Sequence, residues 1–275
     1  MPATQRPVRA VLTPAVLLYT LATVGPFVWI AILSLRSTPE IFKNPYGAPV
    51  PAHWGKFADA WFNSNYDVYF GNSLLVVGCA VAILTVVGAM AAHCLARYRF
   101  TGNRFCYFLI FSTLIFPPQL IIIALYQILI GYGLFDTRIG LVLVYVSLNL
   151  PITVYILESF FRRVPGDLYD AARIDGYSEM AVFWKISFPI AWPAVSATII
   201  LNTITLWNEF LFAIVLIASD SRRTLPIGIL KFMGDQGNDV GMVATGLMIS
   251  VVPILLIYVF FSEKLIQGIT AGAVK

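Results

Sequence analysis

Few residues in this sequence could do chemistry. The two histidines, His53 and His93, are isolated and belong to no H-E-x-x-H or Ser/His arrangement, so hydrolysis by a metal or a nucleophile has no catalytic candidate. His93 precedes Cys94, but adjacent helical residues point about 100° apart, so the two form no metal pair. Cys79, Cys94 and Cys106 lie in or beside apolar runs and read as reduced thiols of the core. No G-x-x-x-x-G-K-[ST] pattern is present, so this chain is expected to hydrolyse no nucleotide itself. What stands out instead is a carboxylate, Glu209, inside an apolar stretch, and one long amphipathic connection at 161–192.

Thr198, Asn202, Thr205 and Glu209 recur at spacings that place them on one helical face. Hydroxyls and amides in a bundle serve either helix–helix hydrogen bonds or a polar cavity. A carboxylate at span depth costs about 2.5–3.5 kcal/mol on insertion scales, so Glu209 should line a cavity, hold a buried partner or lie near water. Phe116-Pro117-Pro118-Gln119 and Asn149-Leu150-Pro151 interrupt two further apolar runs, and the carbonyls that proline frees need a partner or a wet cavity. Gln119, Asn149, Asn202 and Glu209 are therefore candidate pathway residues, and Tyr126, Trp207 and Asn208 join them for a sugar-like solute, which suits aromatic faces and amide hydrogen bonds.

In the 161–192 connection, Pro165 can open a helix, with Leu168, Ala171 and Ala172 on its apolar face. Asp175-Gly176 ends that helix with a left-handed glycine. Ser178 caps a second helix, with Met180, Phe183 and Trp184 on one face, and Pro189 and Pro193 follow. Helices of about ten residues are marginal alone in water, so they must dock, either on this chain's own bundle or in a partner's groove.

The elements that must position these groups are membrane spans. The chain is 59% hydrophobic and 12% charged, with mean hydropathy +0.82, the balance of a protein whose main solvent is lipid. The net charge of +4 is spread out, so no nucleic-acid surface is expected. Six apolar segments, near 11–35, 71–96, 105–130, 139–160, 193–218 and 240–262, are each long enough to cross a bilayer. The first is too long for a signal-peptide core. The fold class is thus an all-α membrane protein of about six transmembrane helices. Its parts are an N-terminal tail, first span and outer segment (1–70), a transmembrane domain (71–262) and a C-terminal tail (263–275). With the N-terminus inside, the inner segments hold eleven basic residues against seven outside, which places both termini and the 161–192 connection in the cytoplasm.

The connection resembles the cytoplasmic EAA loop of permeases in binding-protein-dependent ABC importers. That pattern reads E-A-A, three residues, G, nine residues, I-x-L-P. Here Asp170-Ala171-Ala172, Gly176 and Ile186-Ser187-Phe188-Pro189 stand at the same spacing, with Asp for Glu and Phe for Leu. Asn149-Leu150-Pro151, the run Phe160 to Pro165, Ala172 to Gly176, Trp207 to Phe210 and the tail Gly268 to Lys275 are similar to the carbohydrate-uptake branch, near the maltose-type permeases. The resemblance implies a type I importer fold in a bacterial inner membrane. It further implies a second permease subunit, a periplasmic or lipid-anchored solute-binding protein, and two ATPase subunits that use ATP and Mg, with no cofactor on this chain. Asp170, Ala171, Ala172, Asp175, Gly176, Tyr177, Met180, Phe183 and Pro189 would then form a coupling element on the ATPase and drive alternating access. Trp54, Phe57, Trp61, Phe62 and Tyr66 read as interfacial anchors, or as a docking surface for the binding protein. The same machine for a non-sugar solute, and a stand-alone transporter coupled to ions through Glu209, are the alternatives.

Overall fold

The structure is a computed structural model. It describes the backbone of residues 5–234 and 237–273, and side chains at 12–234 and 239–261. Arg6, Arg9, Asp235 and the tail from Gly268 lie outside the described side chains. Helices in chain order are α1 (Gln5–Ser34), α2 (Thr38–Lys43), α3 (Gly55–Ala58), α4 (Tyr66–Arg97), α5 (Asn103–Ser112), α6 (Ile122–Gly131), α7 (Arg138–Phe161), α8 (Asp167–Ile174), α9 (Glu179–Val182), α10 (Phe188–Ile190), α11 (Trp192–Trp207), α12 (Leu211–Leu216), α13 (Leu225–Gly228) and α14 (Val240–Ala273). A two-residue antiparallel pair, β1 (Met233–Gly234) with β2 (Gly237–Asn238), precedes α14.

Among the described residues, four helices are long and apolar enough to cross a membrane: Leu12–Ser34, Tyr66–Arg97, Arg138–Phe161 and Val240–Phe261. The number reaches six if two bent pairs each count as one span. The first pair, Asn103–Ile115 and Pro118–Gly131, bends by 97°. Its cause is local: proline restricts the residue before it to extended backbone, and Phe116 (ψ 133°) and Pro117 (ψ 123°) are both extended.

Three sequence expectations change here. The fifth apolar run, 193–218, is not one helix: α11 stops at Trp207 and α12 starts at Leu211. What joins α11 at its other end is the segment Glu179–Ile190, bent from it by 77°. Pro151 does not interrupt the fourth run, because α7 continues through it. Side chains take up nearby carbonyls, Asn149 Nδ2 donating to Tyr145 O (2.9 Å) and Thr153 Oγ1 to Asn149 O (2.8 Å). Finally, the thiols are free, but only half-buried Cys106 packs against the core, while Cys79 and Cys94 are exposed.

The chain divides into two compact units, 1–67 with 228–253, and 68–227 with 254–275. In the first, Leu33, Ile41 and Ala244 form a small core. Buried Arg36 organises the segment that follows α1, donating to the carbonyls of Glu40 (2.7 Å) and Asn44 (2.8 Å). Tyr66, expected at the interface, is fully buried and stacks on Phe232 with centroids 5.2 Å apart. In the second unit the core joins α4, α7 and α11 through Ala89, Ala92, Val154, Leu157, Phe161, Ala194 and Val195. Gly88 permits the close approach of α4 and α7, since a Cβ there would meet Thr153 Cγ2 at 2.6 Å.

Candidate functional site

The connection folds as a helix, a sharp turn and a second helix. Asp167 and Asp170 in the first turn of α8 and Arg173 in its last complement the helix dipole. Gly176 ends it with φ +81°, as a left-handed cap requires, and Tyr177 N–H closes on Ala172 O at 3.0 Å. Ser178 caps α9, its hydroxyl accepting from Ala181 N at 3.3 Å. A π-helical turn, Phe183–Ser187, follows and rotates the next residues relative to an α-helix.

The loop has two apolar faces. The inner one is Val164, Tyr169, Ala172 and Val182, with Ile186 packed on it. Phe183 joins the inter-helix core. Of the apolar face Leu168, Ala171 and Ala172 that the sequence offered, Ala172 packs inward beside Tyr169 while Leu168 and Ala171 are exposed. Of the Met180, Phe183 and Trp184 face, only Phe183 is buried. Leu168 (43% exposed), Ile174 (86%), Tyr177 (41%) and Met180 (53%) are uncovered, Met180 at a cavity it shares with His93, Tyr98 and Phe183 on the α4 side. Around them stand Asp170 and Asp175, both exposed, with Arg173 3.6 Å from Asp170 and 3.1 Å from Glu179.

The inner face is gripped by the end of α4. The Arg97 guanidinium lies 4.2 Å over the Tyr169 ring and donates to Val164 O. The Tyr98 hydroxyl donates to Glu179. Burial, then its bond to that carboxylate, pushes the Tyr98 hydroxyl well above its ordinary value.

The break after α11 is built around Glu209. Its Oε1 accepts from Phe212 N (2.8 Å), and its Oε2 from Ala213 N (3.0 Å) and the Tyr145 hydroxyl (2.8 Å). The carboxylate therefore caps α12 rather than extending a stripe along α11. Nearby, Asp136 (φ +54°) accepts from the N–H groups of Ala218 (3.0 Å) and Ser219 (2.9 Å), from the Ser219 hydroxyl and from Arg222 (2.9 Å). The same 217–225 turn is tied to α4 by Tyr69 (2.7 Å to Asp220), Asn72 (2.8 Å to Arg223 O) and Ser73 (2.8 Å from Leu225 N).

The sequence profile of the family described as "Binding-protein-dependent transport system inner membrane component" matches residues 84–267, which include both α4's loop end and the whole 161–192 connection. The chain belongs to that family. This permease is 35% identical over 263 residues to the diacetylchitobiose uptake system permease protein NgcG of Streptomyces coelicolor, covering 94% of this chain and 86% of that one. It is 32% identical to the trehalose transport system permease protein SugB of Mycobacterium tuberculosis, covering 91% and 92%. A chain of the bacterial ABC transporter that imports the acidic polysaccharide alginate shares the fold, with TM-score 0.82 at 19% identity over 96% of the permease and 98% of that chain. The permease is thus a multi-pass membrane protein with the importer-permease fold expected from its sequence.

Of the candidate coupling residues, Asp170, Ala171, Asp175, Gly176, Tyr177, Met180 and Pro189 are exposed, whereas Ala172 and Phe183 face inward. Of the pathway candidates, Asn202, Asn149 and Glu209 share one hydrogen-bond chain through Thr153 and Tyr145 of α7. Asn202 is buried and donates to Thr153 Oγ1 (2.9 Å), and Trp207 is buried against Phe70, edge to face at 5.6 Å. Thr198 is buried but Thr205 is exposed, so the expected polar stripe is not one continuous surface. Gln119 and Asn208 are exposed at the two breaks, Asn149 is half-buried, and half-buried Tyr126 meets Phe135 edge to face at 5.0 Å. Sequence reasoning missed Tyr145, Asp136, Arg97, Tyr98 and Glu179. It also missed Glu158, a buried span carboxylate paired with Arg162 one turn on. An acid and a base four apart at a span end was the available signal for that last pair.

Proposed function

We propose that this permease forms, with a second permease subunit, the membrane pathway of an ATP-driven importer for a carbohydrate or a related solute. In this reading the α8–Gly176–α9 loop sits in a groove of one of two ATPase subunits, which bind ATP and Mg, and this chain hydrolyses nothing. A solute-binding protein delivers cargo on the opposite side. Both termini and the loop are cytoplasmic, as the bias of basic residues favours.

The observation that carries the reading is the loop's second apolar face. Leu168, Ile174 and Tyr177 stand uncovered, with Asp170 and Asp175 exposed in the same stretch, while Val164, Tyr169, Ala172 and Val182 are already packed. An uncovered apolar patch rimmed by charge suits a protein partner. Closing the ATPase pair would push the loop as a body and rock the attached helices, which is alternating access by rigid-body motion. The solute class follows the named relatives, which handle diacetylchitobiose and trehalose. Exposed Gln119 and Asn208, at the two breaks, with Asn149 and Tyr126, are the pathway residues this reading favours.

The test is purification with native partners, followed by uptake in vesicles. The expected result is recovery of a second permease and an ATPase subunit, with oligosaccharide uptake that requires ATP and binding protein. Uptake by this chain alone, driven by an ion gradient, would instead establish the stand-alone transporter.

A further inference from the structure

The coupling loop is covalently attached to α7 before it and to α10 and α11 after it. Its inner face, however, rests on α4, which is distant in sequence. Three α4-end residues make the contact, each by different chemistry. Arg97 stacks its guanidinium 4.2 Å over the buried Tyr169 ring of α8 and donates to Val164 O, just before α8. Tyr98 donates to Glu179, the first residue of α9, and that carboxylate is shared with Arg173 of α8 at 3.1 Å. His93 is buried with both ring nitrogens making no hydrogen bond among the described residues. Its ring is wedged among Phe161 (5.3 Å), Tyr169 (5.8 Å) and Phe183 (5.3 Å), one from the end of α7, one from α8 and one from just after α9. Here the imidazole acts as a flat apolar spacer.

We propose that His93, Arg97 and Tyr98 are positioning residues that clasp the coupling loop to α4, so that α4 moves with α8 and α9. This rests on the importer reading above. The consequence lies at the other end of the same helix. Continuous over 32 residues, α4 is a rod of about 48 Å. Its first turns hold the 217–225 turn through Tyr69, Asn72 and Ser73. The clasp therefore adds, to the core that already joins α4 with α7 and α11, a direct tie from the loop to α4 and along it to the 217–225 turn. Packed elements shift as units, so removing the direct tie weakens the coupling of the loop to α4 while the shared core with α7 and α11 keeps the bundle folded.

The test uses the complete transporter in proteoliposomes, reading solute transported per ATP hydrolysed alongside recovery of the ATPase subunits. Arg97→Gln, Tyr98→Phe and His93→Ala are each expected to lower that ratio by about tenfold or more, the lower bound being the scale of one lost charge-assisted hydrogen bond. Their ATPase rate and subunit recovery are expected to stay near wild type. His93→Phe, which keeps the flat ring and loses only unused nitrogens, is expected to restore the ratio. An unchanged ratio in all three, failure of His93→Phe to rescue, or loss of the ATPase subunits in step with transport would overturn the clasp. A wild-type complex without ATP-dependent uptake would instead defeat the importer reading, which separates the two failures.

Discussion

The Tyr145 hydroxyl of α7 meets Glu209 Oε2 at 2.8 Å, and the first free N–H groups of α12, from Phe212 and Ala213, converge on the same carboxylate. One acid thus explains why the fifth apolar run is two helices. It ends one, starts the next and is held by a third.

Removing that acid is expected to destabilise the bundle. Glu209→Ala leaves two helix N–H groups and a buried phenol without their acceptor, for about 2–3 kcal/mol from a lost cap and lost charged hydrogen bonds. Tyr145→Phe should cost less, and the double variant less than the sum, because both remove one shared interaction. Thermal unfolding of the four proteins in detergent measures the coupling. Strict additivity would show that the two residues act independently.

Asp136 makes a second prediction. Burial pushes its carboxyl up, but bonds from the Ser219 hydroxyl and N–H and from Ala218 N–H, together with the Arg222 charge, outweigh burial and hold it below the ordinary carboxylate value. A depressed folded value means that its stabilisation is present above about pH 4 and is lost as pH falls through the folded value. Asp136→Ala should loosen the 217–225 turn by about 2 kcal/mol. The decisive comparison is proteolysis at Arg222 and Arg223, expected to accelerate in Asp136→Ala and less in Asp136→Asn, which tolerates the left-handed backbone.

Glu40 gives a pH signature in the other compact unit. Its bond to His53 (3.0 Å), then that from Ser37 N–H (2.9 Å), lowers its carboxyl from 4.5 to about 2. Its contribution is complete above 4.5 and disappears as pH falls toward 2. The thermal midpoint of wild type should exceed that of Glu40→Gln at pH 6 and converge with it near pH 2. A gap that persists at pH 2 contradicts this assignment.

Much of the loop was legible because its signals are local. Gly176 for a left-handed cap and Ser178 for an N-cap each depend on one residue and its immediate neighbours, and both stand where the sequence placed them. Helix α8 begins at Asp167, two residues after Pro165, a small shift of the same kind. Which face docks was not legible, because α8 carries apolar residues on both sides and only the position of α4 chooses Tyr169 over Leu168. The break at Glu209 was hidden for a related reason: apolar residues resume at Leu211, so composition reads straight through a gap that hydrogen bonding creates. The Arg97–Val164 and Tyr98–Glu179 contacts join residues far apart in the chain, and no local pattern encodes them.

Gly176 carries a prediction about mechanism. At φ +81° a side chain costs about 1–2 kcal/mol, and valine should be worse because of its branched Cβ. Gly176→Val is expected to insert normally and to hydrolyse ATP in the complex, with less solute moved per ATP. Transport equal to wild type in reconstituted vesicles would remove Gly176 from the coupling element.

The account depends most on what covers Ile174. A photoreactive amino acid placed at 174, with a second chain carrying it at buried Tyr169, should be irradiated in the intact membrane complex. The account predicts a cross-link from 174 to an ATPase subunit and, from 169, only adducts within this chain. Cross-links from 174 to lipid, or to this chain alone, would contradict it.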